Sequence, residues 1–260
     1  MGRFCITGSS DGLGARTANK LISQGHTVIL HARNAQRAED ARKACPGAET
    51  VLIADLSSIE ETKQLAKEAS ELGPYEAVIH NAGVYTGMEK VPGKSGLPTL
   101  FTVNTLAPYI LTALMGPGAQ KRLVFVSSEL HAGGRPRLGD SEDIKKSGYG
   151  DSKLHNVILA KAFARVWQTK AYSVHPGWVP TKMGGANATG DMQLAVDTFI
   201  WVATGGQTDG KGENEDERWT PGGYFTALRE EEPSKTANDQ SVQDGLLAAL
   251  ETISGVKVSV

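Results

Sequence analysis

Three things are scarce in this chain, and each shortage removes a class of function. Only two cysteines occur in 260 residues, Cys5 inside an apolar run and Cys45 before Pro46, with no Cys-x-x-Cys and no Cys/His spacing suited to a metal. That pattern supplies neither a disulfide framework nor a ligand set, and it fits a reducing compartment. No apolar run approaches the roughly 20 residues that cross a bilayer. A strand-like run also starts within a few residues of Met1, leaving no room for a signal or transit peptide. A cytoplasmic protein with no membrane span and no metal is expected. Charge of one sign is lacking too: 27 Lys and Arg stand against 29 Asp and Glu, a net −2 mixed along the chain. Neither a nucleic-acid footprint nor a polybasic membrane patch is indicated, so the expected partner is a small molecule.

What is present is a regular alternation. Apolar strand-like runs recur at residues 3–7, 27–32, 50–55, 77–80, 123–127, 171–175 and 223–226. Helix-like segments fall between them near 13–24, 34–44, 57–72, 98–115, 149–167, 191–204 and 238–254. Runs of Val, Ile and Leu without strict period-two alternation argue for strands covered on both faces. The expected fold is a single α/β domain over 1–260, a Rossmann-type doubly wound parallel sheet of seven strands with helices on both faces and right-handed crossovers.

In such a sheet ligands bind beyond the carboxyl ends of the strands, so the loops after each run form one surface. Thr7-Gly8-Ser9-Ser10-Asp11-Gly12-Leu13-Gly14 closes the first strand and opens a helix. That is what a pyrophosphate needs: glycines for close backbone approach and a helix N-terminus for the charge, with Ser9 and Ser10 as added donors. After the second strand comes Ala32-Arg33-Asn34, with no acid to hold both ribose hydroxyls. Either Arg33 is a solvated loop residue, or it pairs with a 2′-phosphate. In the second case charge-assisted bonds of roughly 1.5–3 kcal/mol favour NADP over NAD by about ten- to a hundredfold. Asp55-Leu56 can meet an adenine amino group, and Asp55 also stands where the next helix needs an N-cap. Asn81-Ala82-Gly83 offers small residues where backbone passes close to a ribose, with Asn81 free to tie strand ends or to serve structure alone.

The fifth run, ending in Ser127-Ser128, delivers hydroxyls at a strand's carboxyl end, and Tyr149-Gly-Asp-Ser-Lys153 follows on a helical segment. At i and i+4, Tyr149 and Lys153 share a helical face, which puts an ammonium beside a phenol while Ser128 can hold a substrate oxygen. That constellation suits proton transfer. By itself the spacing is equally a solvated helix face; beside a phosphate-binding turn it reads as a site.

Taken together, Thr-Gly-x-x-x-Gly-x-Gly at 7–14, Asp55, Asn81-Ala-Gly83, Asn104, Ser128, Tyr149-x-x-x-Lys153 and Pro176-Gly177 occur in order. The chain thereby resembles the short-chain dehydrogenase/reductase family over nearly its whole length. Within it, Val126-Ser-Ser-Glu-Leu-His131 and the tail Gly223-Tyr-Phe…Pro233-Ser are similar to retinol dehydrogenases, WW-domain oxidoreductases and protochlorophyllide reductases. The resemblance implies an oxidoreductase passing a hydride between NADP, less readily NAD, and a carbonyl or alcohol, with an apolar substrate. It implies Tyr149 as acid/base and Lys153 as the residue that lowers its pKa and bonds the nicotinamide ribose. It further implies Ser128 orienting the substrate oxygen, Asn104 supporting a proton path, and cofactor contacts from Leu13, Pro176, Gly177, Val179 and Thr181. The family also often pairs through its two long central helices, so a homo-oligomer is open. A member that keeps the fold as a non-catalytic dinucleotide sensor or scaffold is the alternative.

The separation of Ser128 from Tyr149 is longer than usual for the family, so 132–147, rich in Gly, Arg, Pro and Asp, is expected as an irregular extra loop beside the substrate. The loop 182–190, with three glycines, is expected to close over substrate, and the acidic stretch 209–217 to be solvated surface. The histidines are read as packed residues without chemistry. Pro108 has no N–H for the carbonyl of Asn104 four residues earlier, so that carbonyl is expected free, as a kink, a helix end or part of a relay through water to Lys153.

Overall fold

In the computed structural model, which describes residues 1–207 and 215–259, the apolar runs are strands whose alternate side chains enter two separate cores. β1 (Arg3–Ile6), α1 (Gly12–Ser23), β2 (Thr27–Ala32), α2 (Ala35–Ala44), β3 (Thr50–Ile53) and α3 (Ile59–Leu72) alternate first. β4 (Tyr75–His80) leads to α4 (Thr99–Phe101) and α5 (Ala107–Met115), joined by a π-helical turn over Thr102–Leu106. β5 (Gln120–Val126) precedes α6 (Ser141–Lys145), α7 (Tyr149–Trp167) and β6 (Lys170–His175). α8 (Met192–Thr204), β7 (Tyr224–Thr226), β8 (Arg229–Glu231) and α9 (Gln240–Ser254) complete the chain.

The sheet order is β3-β2-β1-β4-β5-β6-β7-β8. Chain order reverses between β1 and β4, which makes that junction the switch point. Phe4 and Ile6 of β1 face the core under α1, α2 and α8, whereas Cys5 faces the core under α3, α5 and α7. Leu123 and Phe125 of β5 likewise face one side, and Val124 and Val126 the other. Both faces are dry, so the strands need no polar alternation.

Several expectations are corrected. The sheet has eight strands, not seven, because β8 returns antiparallel beside β7. The two turn residues, Ala227 and Leu228, both have positive φ, the geometry of a two-residue hairpin without its usual Asn-Gly marker. The segment 132–147 is not wholly irregular: it holds α6, whose first amides are capped by Asp140 and whose Ile144 is buried in the core. Pro108 neither breaks nor sharply ends the helix. The turn before it widens instead, and the Ala107 N–H reaches back to the Thr102 carbonyl, a π turn that absorbs the missing donor. The C-terminal part packs on the central helices. α9 packs on α7, with Arg165 bonded to Gln243 and Asp244, while Tyr109 and Trp167 donate to the carbonyls of Val256 and Ser259. No helix among the described residues is long and apolar enough to cross a membrane.

Of the acidic stretch 209–217, residues 209–214 lie outside the described residues, and Asp216 is no surface group. Its carboxylate, 0% exposed, accepts from Arg122 Nε at 2.6 Å and Lys170 Nζ at 2.7 Å, and Arg122 also reaches Glu76 at 2.5 Å. A buried pair costs most when one member is removed, since the other is left without its countercharge. Arg122→Leu should therefore destabilise the fold by roughly 3–5 kcal/mol in urea unfolding; a loss below about 1 kcal/mol would show that water reaches Asp216.

Candidate active site

The turn after β1 lies hard against the turn after β4. A Cβ at Gly8 would sit 2.7 Å from Ala82 Cα, and one at Gly14 would sit 2.6 Å from Asn81 Nδ2. Glycine is required at both. Asn81 Nδ2 donates to the carbonyls of Thr7 (2.8 Å) and Gly8 (3.0 Å), tying the ends of β1 and β4 together. The helix that follows starts at Gly12, and the Asp11 side chain makes no capping bond to it. Its first amides are thus left for another acceptor. A Cβ at Gly12 would face the Thr181 side chain at 3.7 Å, so Thr181 stands across from that helix end. A glycine-lined approach, uncapped helix amides and a facing hydroxyl fit the phosphates of a dinucleotide.

Not every residue expected here is available. Ser9 is fully buried; its hydroxyl donates to Ile6 O at 2.8 Å and its amide to His31 O at 3.1 Å. It is a structural brace, not a phosphate donor. Ser10 keeps its hydroxyl proton while accepting from Arg37 Nη2 at 2.9 Å. The side chains of Leu13, Leu56 and Val179 are in the cores, which leaves their backbones to face a ligand. Asp55 is not the N-cap of α3, a place held by Ser58, which accepts from the Glu61 amide. Asp55 accepts from the Ser57 amide and hydroxyl instead. Arg33 is exposed, with no ion pair among the described residues.

Two residues of the nucleotide end had no local marker. His31 Nδ1 accepts from the Gly8 amide at 3.0 Å and its Nε2 meets Ala54 O at 2.9 Å, so a neutral ring bolts the glycine turn to β2 and β3. Arg37 Nη2 meets Asp11 at 2.6 Å, and Lys182 reaches the same carboxylate at 2.8 Å. Burial pushes the Asp11 carboxyl up, but these two cations hold it below its ordinary value. The loop expected to close over substrate is thereby joined to the glycine turn.

The chemical end forms where β5 and α7 meet. Tyr149 is the first residue of α7, and the Asp151 carboxylate holds the Gly148 amide at 3.0 Å while also binding Arg135 N and Arg137 Nε of the inserted segment. Lys153 is 3% exposed, and its Nζ lies 5.4 Å from the Tyr149 ring centre. The Ser128 hydroxyl accepts from the Leu130 amide at 3.3 Å and stands near enough to the phenol to favour its ionised form. Gly83 abuts both partners of the relay: a Cβ there would lie 3.4 Å from Asn104 Oδ1 and 3.5 Å from Lys153 Nζ. The Asn104 side chain is already committed, accepting from Val84 N at 2.8 Å and donating to Val84 O and Ser152 Oγ. Only its backbone carbonyl is left for a relay.

One electrostatic expectation is reversed in the protein by itself. Burial, then the neighbouring Tyr85, pushes the Tyr149 phenol up to about 12, against the opposing influence of the nearby Ser128 hydroxyl. Burial brings Lys153 down to about 8, and its ammonium donates to Val126 O at 2.9 Å rather than to the phenol. Desolvation outweighs the cation at this distance. Tyr85, 43% exposed, sets its ring edge-on to Tyr149 with centres 4.6 Å apart. Leu130 and Trp178 are also about half exposed on the turns after β5 and β6.

The short chain dehydrogenase family profile matches residues 3–191. An uncharacterized oxidoreductase of Emericella nidulans is 44% identical over 99% of both chains. Among solved structures, an uncharacterized protein from Mycobacterium paratuberculosis has a TM-score of 0.74 at 24% identity, covering 100% of this chain and 96% of that one. A blue fluorescent protein from a metagenomic library, solved in complex with NADPH, has a TM-score of 0.63 at 20% identity, covering 86% and 94%.

Burial also holds three imidazoles neutral, with His31 and His155 lowered to about 4 and His80 to about 3. In the unfolded chain they take up protons near 6.5. Their contribution is therefore whole above pH 6.5 and is lost as pH falls towards 4, on the order of 2 kcal/mol each at pH 5. Melting temperature should drop steeply between pH 6.5 and 4; a flat profile over that window would mean the rings are hydrated.

Proposed function

The chain belongs to the short-chain dehydrogenase family of NAD(P)-dependent oxidoreductases, and on that premise we propose that it is an NADP-dependent reductase or dehydrogenase of an apolar carbonyl/alcohol pair, with Ser128, Tyr149 and Lys153 as its catalytic residues. The observation that carries this reading is the buried Lys153, its ammonium 5.4 Å from the Tyr149 ring centre and with Ser128 near the phenol, at the carboxyl edge that also bears the glycine turn. A binder needs the turn alone; a dry phenol beside a buried ammonium has its use in moving a proton.

The cofactor supplies the hydride, and the chain supplies the rest. Ser128 orients the substrate oxygen and Tyr149 gives or takes its proton. A phenol driven to about 12 is a reluctant base and a willing partner for a developing alkoxide. Reaching neutral pH requires roughly 7 kcal/mol of help for the phenolate, which assigns Lys153 its role: its ammonium leaves Val126 O for the ribose and phenol side of the site. The relay continues through water to Asn104 O, for which Pro108 offers no competing amide. Gly8, Ser10, Gly12, Leu13 and Gly14 cradle the phosphates with Thr181 opposite, and Asp55, Leu56, Asn81, Ala82 and Gly83 line the adenosine and ribose side. Pro176, Gly177 and Val179 face the nicotinamide. Arg33, exposed and without an ion pair among the described residues, takes the 2′-phosphate. Tyr85, Leu130 and Trp178 favour an apolar substrate, since the Trp178 N–H is already given to Gly184 O and only ring surface is offered.

Oxidation of NADPH against a panel of aromatic and aliphatic ketones tests the reading, and Tyr149→Phe should abolish turnover while leaving NADPH binding within a few-fold. Binding without turnover across the panel would instead mark a dinucleotide sensor. Arg33→Asp should weaken NADPH by about ten- to a hundredfold and leave NADH little changed. Equal loss for both cofactors would remove Arg33 from the phosphate site.

A further inference from the structure

His131 is three residues beyond Ser128 and 4% exposed, in a turn that otherwise faces water. Its ring makes two hydrogen bonds, both to main chain. Nδ1 lies 2.7 Å from Ser128 O, and Nε2 lies 3.1 Å from the amide of Ser234, 103 residues further on. A carbonyl can only accept and an amide can only donate. Nδ1 must therefore carry the proton and Nε2 must be bare: the two partners fix a single neutral tautomer. The ring is also held against Tyr224 of β7, with centres 4.6 Å apart. The His131 amide adds a second bond to Ser128 O at 3.1 Å, so the peptide that carries the serine is closed from both the backbone and the imidazole.

Ser234 lies where the chain leaves β8 and enters the short turn Lys235–Asn238, ahead of α9. The imidazole is thus the polar link between the catalytic serine and the C-terminal segment. We propose that His131 is a positioning residue, whose neutral ring holds the orientation of Ser128 through Nδ1 and the seating of residues 231–238 through Nε2. The Nδ1 end keeps the serine peptide in its productive orientation, and the Nε2 end keeps residues 231–238 seated beside it. This rests on the reading of Ser128 as the residue that holds the substrate oxygen.

The two ends of the ring separate by substitution. The amide nitrogen of asparagine falls where Nδ1 was, so His131→Asn keeps the donor to Ser128 O and loses Ser234. The amide oxygen of glutamine falls where Nε2 was, so His131→Gln keeps Ser234 and loses the donor to Ser128 O. With NADPH and phenanthrenequinone as the probe carbonyl, His131→Gln should lower kcat by about 10- to 100-fold. His131→Asn should hold kcat within about threefold and raise KM. Equal effects of the two on kcat, or none from glutamine, overturn the proposal. Ser128→Ala is the control: if it turns over like the parent, the reading of the site falls and the positioning role with it, whereas a dead Ser128→Ala beside an unimpaired His131→Gln removes the positioning role alone. A readout independent of turnover is the ¹⁵N spectrum of the parent protein, which should show His131 protonated at Nδ1; protonation at Nε2 overturns the proposal.

Discussion

The close approach of the turn after β1 to the turn after β4 is the constraint on which the rest of this molecule depends. Nothing larger than hydrogen fits at Gly8 against Ala82, or at Gly14 against Asn81. That contact lets the Asn81 amide clasp both strand ends and aims the start of α1 across the switch point. It also continues into the chemical end. Gly83, two residues past Asn81, abuts Asn104 and Lys153, and Asn104 in turn bonds Val84 and Ser152. A side chain at Gly8 or Gly14 would force the two turns apart.

The charge state of the site follows from dryness. Burial drives the phenol up to about 12 and the ammonium down to about 8, so near neutral pH the phenol keeps its proton and the lysine keeps most of its charge. The phenol is thus the one partner that cannot ionise cheaply in such a site.

Much of the remaining structure braces this arrangement with neutral imidazoles. His31 bolts the glycine turn, His155 bonds Thr105 beside the relay residue and Pro136 in the inserted segment, and His131 joins Ser128 to Ser234. Each bridges segments far apart in sequence with one donor and one acceptor. The C-terminal part is tied in by the same means, and α9 covers α7, so the helix bearing Tyr149 and Lys153 is packed on both sides.

The sequence by itself determined whatever depends on local period and on special backbone. Non-alternating apolar runs meant strands covered on both faces, the glycines at 8, 12 and 14 marked the strand-to-helix turn, and the four-residue spacing put Tyr149 and Lys153 on one face of a helix whose ends, 149 and 167, were legible to the residue. These signals survive because they are written within a few consecutive positions. Only the tertiary structure decided that Ser9 is a brace, that Asp216 is a buried carboxylate inside an acidic stretch, that Ala227-Leu228 turns a hairpin, and that Tyr85 meets Tyr149. It also decided the balance of burial against charge that lifts the phenol. Those outcomes depend on which distant groups share a volume and on how much water is excluded from it, and neither quantity is encoded at any single stretch of chain.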